Sequence, residues 1–344
     1  MADVGIIGAS GYVGAELLRL CAMHPQMNVA WATADSQVGA EVGDLYPNLR
    51  SAYPGFEYSP YSPTLLSDID VVFLALPHGR SGSLVPELIG NVEVIIDLAA
   101  DFRLQDPALY PRWYGAEHPA PELLAGFAYG LPELFRSDLR GATRVAAPGC
   151  YPTASLLALA PLVRAGVIET SGIVVDAASG VSGAGRPAKA NTTFCAVDES
   201  FQAYGLLDHR HTPEIEQGLG ATVLFTPHLA PMNRGILATC YARPDAGAVG
   251  GGSLSTAELL GILEEAYADE PFVVVTDEPP GTKATLGSNC AHLTARYDER
   301  TGWVMAPAAI DNLVKGAAGQ ALQCANLALG LDETLGLPMT GLLP

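Results

Sequence analysis

Apolar residues fall in short blocks separated by glycine, proline and small polar residues, and the blocks change character near the middle of the chain. Val4-Gly5-Ile6-Ile7 is too short for a helix and reads as a strand covered on both faces. Gly8-Ala9-Ser10-Gly11-Tyr12-Val13-Gly14 turns the chain, and residues 15–23 then carry helical spacing up to His24-Pro25. Residues 28–33, 69–76 and 92–97 are further apolar or β-branched runs, and Val145 enters another. Residues 107–132 hold many Pro, Tyr and Trp without a helical period, which predicts a long surface-wrapping loop. Beyond Cys150 the runs at 172–179, 222–226, 235–242 and 290–295 predict strands. Residues 256–268 predict a helix, and 311–330 one long helix ending at Gly330. Residues 247–253 read as a flexible loop. The first part is a strand–helix alternation of the α/β class; the second is a mostly antiparallel sheet with helices, an α+β arrangement. The boundary between them falls at the Cys150 corner.

The glycines between the first strand and helix allow a tight turn and a close backbone approach, while the helix N-terminus offers N–H donors. A GxxGxxG spacing in that position is a dinucleotide-binding, Rossmann-type signature, and it nominates Gly8, Ser10, Gly11, Tyr12, Val13 and Gly14. After the second strand stand Asp35 and Ser36, which pull in opposite directions. An acid suits the ribose hydroxyls of NAD, and a serine suits the 2′-phosphate of NADP. Pro77-His78-Gly79 follows the third strand, at the carboxyl end where open α/β sheets bind ligands.

A length of 344 residues suits two domains. No apolar run reaches the roughly 18 residues of a membrane span, and no basic segment precedes an apolar one at the start. The six cysteines lack CxxC pairs or zinc-ligand spacing, so they read as reduced thiols of a cytoplasmic protein without a metal. A net charge of −19 argues against nucleic acid as a partner. An anionic substrate would therefore need a local cluster of Arg and Lys.

Cys150 follows a Pro-Gly corner and precedes an apolar helical run. A thiol at the first turn of a helix faces unpaired N–H groups and the positive end of the dipole, and both stabilise the nucleophilic thiolate. The loop Ser179–Lys189 exposes backbone donors at its glycines and carries Arg186 and Lys189, which suits a phosphate or carboxylate; Arg103 is a second candidate clamp. His209 and His211 stand two residues apart and supply a proton carrier, with no third ligand for a metal. Glu214 either orients an imidazole or begins a helix, and His228 reads as structural. A nicotinamide site, an activated cysteine, a histidine and an anion clamp suggest hydride chemistry between an aldehyde and an acyl phosphate through a cysteine thioester.

Several of these segments, with Ala100-Asp-Phe-Arg-Leu104, Tyr129-Gly-Leu-Pro-Glu133, Phe225-Thr-Pro-His-Leu229 and residues 311–320, resemble the N-acetyl-γ-glutamyl-phosphate reductase family and, more distantly, aspartate-semialdehyde dehydrogenases. The resemblance implies NADPH-dependent reduction of N-acetyl-γ-glutamyl phosphate to the semialdehyde, in arginine biosynthesis. It makes Cys150 the nucleophile and gives the acid/base role to the His209/His211 pair, with a slight preference for His209. It implies a cofactor near Asn312, with Ser182 and Gly183 of the glycine loop, and a small-molecule acyl-phosphate substrate. A terminal helix is expected to pack back on the first domain, so the expected domains are 1–149 with 310–344, and 150–309. A homodimer or homotetramer is expected from the family. Many relatives carry a Ser-Arg pair where this chain has Ala34-Asp35, which predicts some use of NAD beside NADP.

Overall fold

The computed structural model describes residues 1–247 and 254–344, so all of the 247–253 loop except Gly247 lies outside the described residues. The chain divides into two compact units: residues 1–148 with 317–337, and residues 149–316 with 338–344. The chain therefore leaves the first unit at the Cys150 corner and re-enters it at Ala317, later than residue 310.

Unit 1 is built on β1 (Ala2–Ile7), β2 (Met27–Ala32), β3 (Val71–Leu74), β4 (Val94–Asp97), β5 (Ala128–Tyr129) and β6 (Arg144–Ala146). They form one parallel sheet in the order β2-β1-β3-β4-β6-β5. Every residue of β3 and β4 is buried, and all but the last, Asp97, are apolar. Helices α1 (Tyr12–Cys21) and α2 (Ser81–Leu88) make the crossovers β1 to β2 and β3 to β4, and α3 (Pro132–Leu139) lies between β5 and β6. The strand order reverses between β1 and β3, so the carboxyl ends of these strands border the ligand crevice of such a sheet. Gly14 has a packing reason as well: a Cβ there would lie 2.5 Å from the Ala9 Cα.

The segment 107–132 is more ordered than its sequence suggests. It holds a short helix, Tyr110–Tyr114, two 3-10 turns and the edge strand β5. Pro107 and Pro121 open the two turns, as proline does at a first helical position. Aromatic rings then tie the segment down. Phe127 stacks on Phe102 with centroids 4.0 Å apart, and Tyr110 is buried with its hydroxyl donating to the Asp101 carbonyl. The segment covers part of the core and does not stand free of it.

Unit 2 carries β7 (Ile173–Ser179), β8 (Gln202–Ala203), β9 (Val223–Leu229), β10 (Ile236–Ala242), β11 (Val273–Val275), β12 (Ala291–Leu293), β13 (Arg296–Asp298) and β14 (Trp303–Ile310). The order is β11-β12-β14-β10-β7-β9-β8, with β13 also on β14. Among the described residues the β7/β9 and β11/β12 pairings are parallel and the others antiparallel, so the sheet is mixed and mostly antiparallel. β7 and β10 alternate buried and half-buried residues, the mark of a sheet covered on one face. The cover is α4 (Cys150–Arg164), flanked by α5 (His211–Leu219) and α6 (Thr256–Ala266). α4 is buried from Tyr151 to Leu162, which explains a helix apolar on all sides.

The single helix expected over 311–330 is interrupted. β14 runs to Ile310, the chain turns, residues Val314–Ala318 form a π-helical turn, and α7 occupies Gly319–Ala328. The Asp311 carboxylate causes the restart by accepting the Leu313 and Val314 N–H groups at 2.8 and 3.2 Å. The wide turn, with Gly316 N–H on the Asp311 carbonyl at 2.9 Å, brings Gly316 against Cys150. Within unit 1, α7 packs on α3 and β4 through Gln320 to the Gly130 carbonyl and Gln323 to Glu133. Its end at Gly330, with φ +67°, is a left-handed glycine stop. Among the described residues no helix is long and apolar enough to cross a membrane.

Candidate active site

Cys150 is the first residue of the 15-residue helix α4. Gly149 before it is extended and offers no side-chain cap, so the first-turn N–H groups of α4 remain directed at the thiol's end of the helix. That end favours an anionic sulfur. The corner is held from below by Glu214, wholly buried in the first turn of α5, whose Oε1 accepts the Gly149 N–H at 2.8 Å. It is pressed from above by the His211 imidazole: a Cβ on Gly149 would stand 2.4 Å from His211 Nε2. Gly316 closes the third side, since its Cβ would fall 2.8 Å from that of Cys150. Burial pushes the Cys21 thiol up to about 12 and raises those of Cys240 and Cys290, so these remain inert thiols, whereas Cys150 is half-buried at a helix start.

The two histidines occupy different surroundings. His209 lies edge-to-face with Tyr151, Tyr204 and Phe225 at centroid distances of 5.7, 5.5 and 5.3 Å. Burial, aided by the Arg210 charge, lowers its pKa to about 4, so it is neutral at neutral pH. Its Nδ1 accepts the His211 N–H at 3.1 Å, which leaves the proton of the neutral ring on Nε2. His211 sits 4.8 Å from His209, centroid to centroid, and is the imidazole that reaches the cysteine corner. Tyr204 donates to the Tyr151 hydroxyl at 3.1 Å, and Tyr151 to the His228 carbonyl at 3.1 Å, a chain that fixes the cage around His209. Nothing in the spacing of the sequence brings Tyr204 or Phe225 to the histidines.

The glycine loop after β7 is anchored by Asn312. Its Oδ1 accepts the Gly235 N–H at 2.7 Å and its Nδ2 donates to Ser182 Oγ at 2.9 Å, so Ser182, Gly183 and Asn312 come together. Beside them, and unnoticed in the sequence, Asp311 accepts the Gly287 N–H at 2.7 Å and pairs with Arg234 at 3.0 Å. Arg186 is half-buried with its Nε lacking an acceptor, and Lys189 is exposed, its Nζ donating to the Ala184 carbonyl at 3.2 Å. Arg103 lies in unit 1 and is 7 % exposed; its Nε donates to the Ala147 carbonyl and its Nη2 to that of Leu98, both at 2.8 Å. Among the described residues no group of three His, Cys, Asp or Glu could hold a metal ion.

In unit 1, Gly8 takes φ +84° with its α-hydrogen side against the Ala75 carbonyl. A Cβ on Gly11 would meet nothing nearer than 3.8 Å, and the first turn of α1 holds no acid and no side-chain cap. An open floor beneath uncapped N–H groups fits a pyrophosphate. Ser10, Tyr12 and Val13 line this turn, and the Tyr46 hydroxyl donates to the Ser10 carbonyl at 2.9 Å. Ser36, Pro77, His78 and Gly79 are exposed beyond β2 and β3. Gly79, at φ +81°, donates its N–H to Asp101 Oδ1 at 2.6 Å. Asp101 also takes the Gly82 N–H at 2.8 Å and touches Ser81 Oγ at 2.9 Å, and Ser81 Oγ lies 3.0 Å from Asp97 Oδ2.

A parallel dinucleotide-type unit joined to a mixed-sheet unit with a helix-start cysteine is the arrangement of semialdehyde dehydrogenases. Residues 3–142 match the semialdehyde dehydrogenase NAD binding domain and residues 150–312 the semialdehyde dehydrogenase dimerisation domain. Aspartate semialdehyde dehydrogenase II of Vibrio cholerae, complexed with ASA, shares the fold at a TM-score of 0.70 and 18% identity, over 96% of this chain and 98% of that one. The NADP complex of the Candida albicans aspartate semialdehyde dehydrogenase aligns at a TM-score of 0.67 and 14% identity, over 95% and 98%. At the level of sequence, N-acetyl-gamma-glutamyl-phosphate reductases of Desulforudis audaxviator and Azotobacter vinelandii are 48% and 47% identical over the full length of both chains. The chain belongs to the N-acetyl-gamma-glutamyl-phosphate reductase family.

Proposed function

We propose that this protein reduces N-acetyl-γ-glutamyl phosphate to N-acetylglutamate 5-semialdehyde with NADPH, releasing phosphate, as a cytoplasmic enzyme of arginine biosynthesis. The observation that carries the reading is the Cys150 corner, a thiol at the start of α4 with the His211 imidazole against Gly149. Cys150 Sγ attacks the acyl carbon, the C–O bond to phosphate breaks, and a thioester forms on the protein. Arg186 and Lys189 neutralise the departing phosphate or the substrate carboxylate. Arg103 braces the backbone before the corner from within unit 1. Bound NADPH supplies the hydride for the thioester carbon. The His211 imidazole gives a proton to the resulting oxygen and takes it back as the C–S bond breaks, which frees aldehyde and thiolate. His209 holds His211 in place through its Nδ1. The cofactor residues proposed in unit 1 are Gly8, Ser10, Gly11, Tyr12, Val13, Gly14, Ser36, Pro77, His78 and Gly79; Ser182, Gly183 and Asn312 are proposed from unit 2 on the resemblance alone. Unit 1 is thus the nucleotide-binding domain and unit 2 the catalytic one.

The uncovered face of the unit 2 sheet supports a homodimer or homotetramer. Val174, Tyr241, Trp303 and Met305 line a cavity of about 350 Å³ there, and Leu224 is 51% exposed. Light scattering on the purified protein checks this, and a monomer would refute it.

The activity test is phosphate-dependent NADP reduction with N-acetylglutamate semialdehyde, run beside aspartate semialdehyde and an aminoadipate analogue. Turnover with the first alone, lost in Cys150→Ser while nucleotide binding persists, is the expected result. Retained turnover in that variant would remove the covalent mechanism.

A further inference from the structure

We propose that Asp101 is the positioning residue for the turn after β3, and that it holds this turn with the help of a hydrogen relayed from Asp97 through Ser81. This role rests on the reading of unit 1 as the nucleotide-binding domain. The turn Pro77-His78-Gly79-Arg80 is exposed beyond the carboxyl end of β3, beside the reversal of strand order between β1 and β3. It follows directly on a contact with the glycine turn, since a Cβ on Gly8 would lie 2.5 Å from the Ala75 carbonyl. Its own residues do little to fix it. Gly79 takes φ +81° with open space around a Cβ, and Arg80 gives α2 no side-chain cap. Asp101, only 4 % exposed in the segment after β4, supplies both restraints. Its Oδ1 accepts the Gly79 N–H at 2.6 Å, and its Oδ2 accepts the Gly82 N–H at 2.8 Å in the first turn of α2.

Ser81 joins this carboxylate to a second one. Its Oγ lies 2.9 Å from Asp101 Oδ2 and 3.0 Å from Asp97 Oδ2, and all three residues are buried. With Asp97 protonated, Asp97 donates to Ser81 Oγ and Ser81 donates to Asp101, which then receives three hydrogens. Loss of the Asp97 proton leaves one hydroxyl hydrogen between two buried anions. Their repulsion then works against the grip on Gly79 and Gly82. Burial, and after it the Asp101 charge, place that loss at about 7, with the Arg103 guanidinium opposing them. Tyr110 and His118 also face the pair. Burial raises the Tyr110 phenol and lowers the His118 imidazole, so both are neutral between pH 7 and 8.5. His78, on the turn itself, is an imidazole of the kind that changes charge near neutrality, so the test separates it from Asp97.

Binding of NADP to the full chain, by titration calorimetry without substrate from about pH 6.5 to 8.5, reads the hold on the turn. Asp101→Asn sets an amide against one of the two backbone N–H groups, and is expected to weaken NADP at least about tenfold at pH 7. Wild-type affinity is expected to fall about fivefold across the pH range, as for a proton held about one pKa unit more tightly in the bound protein. Asp97→Asn, whose amide donates to Ser81 at every pH, is expected to keep its affinity within about twofold over the same range. Unchanged affinity in a folded Asp101→Asn makes Asp101 the cap of α2 and nothing more, which overturns the proposal. A flat wild-type profile overturns it as well, and so does a fall that persists in Asp97→Asn and therefore belongs to His78 or the nucleotide. In each of these cases NADP still binds, and the nucleotide-binding reading stands. A wild type that binds no NADP overturns both. Where Asp101→Asn does not fold, the comparison of wild type with Asp97→Asn decides alone.

Discussion

Replacing Asp97 by Asn should abolish a proton uptake that accompanies folding of unit 1. Ser81 Oγ lies 3.0 Å from Asp97 Oδ2 and 2.9 Å from Asp101 Oδ2, but a hydroxyl has one hydrogen to give. Asp101 also accepts two backbone N–H groups, from Gly79 on Oδ1 and Gly82 on Oδ2, so both its oxygens already take hydrogens. The second hydrogen must then sit on Asp97. Burial, and after it the Asp101 charge, pushes the Asp97 carboxyl from its ordinary 3.8 up to about 7. The folded chain thus holds a proton that the unfolded chain has released, and stability falls as pH rises from about 4 towards 7. The slope is about 1.4 kcal/mol per pH unit for one proton, and about three units give on the order of 4 kcal/mol in all. Above about 7 both states are ionised and the slope vanishes. Asn keeps the geometry without the proton, its carbonyl accepting the Ala99 N–H as Asp97 Oδ1 does at 3.0 Å and its amide donating to Ser81. Urea unfolding followed by tryptophan fluorescence in a Trp303→Phe background, which leaves Trp31 and Trp113 of the same unit, is the assay, from pH 5 to 8. The stability of Asp97→Asn relative to wild type should rise by about 1.4 kcal/mol per unit up to pH ~7 and then level off. A difference that stays constant over that range would show that Asp97 is ionised throughout and refute the proton assignment.

Three further outcomes follow from the cysteine corner. Gly149→Ala places a methyl group 2.4 Å from His211 Nε2, so kcat should drop on the order of a hundredfold while the Kd for NADP is unchanged. Unaltered kcat would show that His211 is not needed at that position. Glu214→Ala strands the buried Gly149 N–H and should cost about 1–3 kcal/mol in urea unfolding, whereas Glu214→Gln, which keeps an acceptor, should cost less; equal losses would mean that the charge, not the hydrogen bond, matters. With its pKa lowered to about 4, His209 is uncharged from pH 5 upward, so any limb of the kcat profile between pH 5 and 8 should survive in His209→Asn. Its disappearance would identify His209 as the titrating group.

The parallel strands of unit 1 were legible because β3 and β4 are buried throughout and, up to Asp97, apolar. Cys150 and the glycine turn were legible because each is a local grammar, a small-residue corner before a helix. Where order comes from distant partners, local pattern fails. The 107–132 segment looked like a loop because its rings fix it to Phe102 and Asp101, residues outside its own period. Helical spacing across 311–330 concealed the turn that the Asp311 carboxylate imposes on its own backbone. The same limit applied to the histidines. Two imidazoles two residues apart look equivalent in sequence. One enters a cage of Tyr151, Tyr204 and Phe225 and the other meets Gly149, a distinction made entirely by tertiary packing.

Gly149 and Gly316 are the first and last residues of the long stretch that forms most of unit 2, and both stand against Cys150. The two ends of that stretch thus meet at one residue, Gly149 beside it in the chain and Gly316 against its Cβ. The environment of the thiol exists only once the whole intervening polypeptide has folded and returned. Cys150 is then a gauge of native assembly. Its alkylation rate in denaturant should follow the folding of unit 2 as one event, not the local fraying of α4.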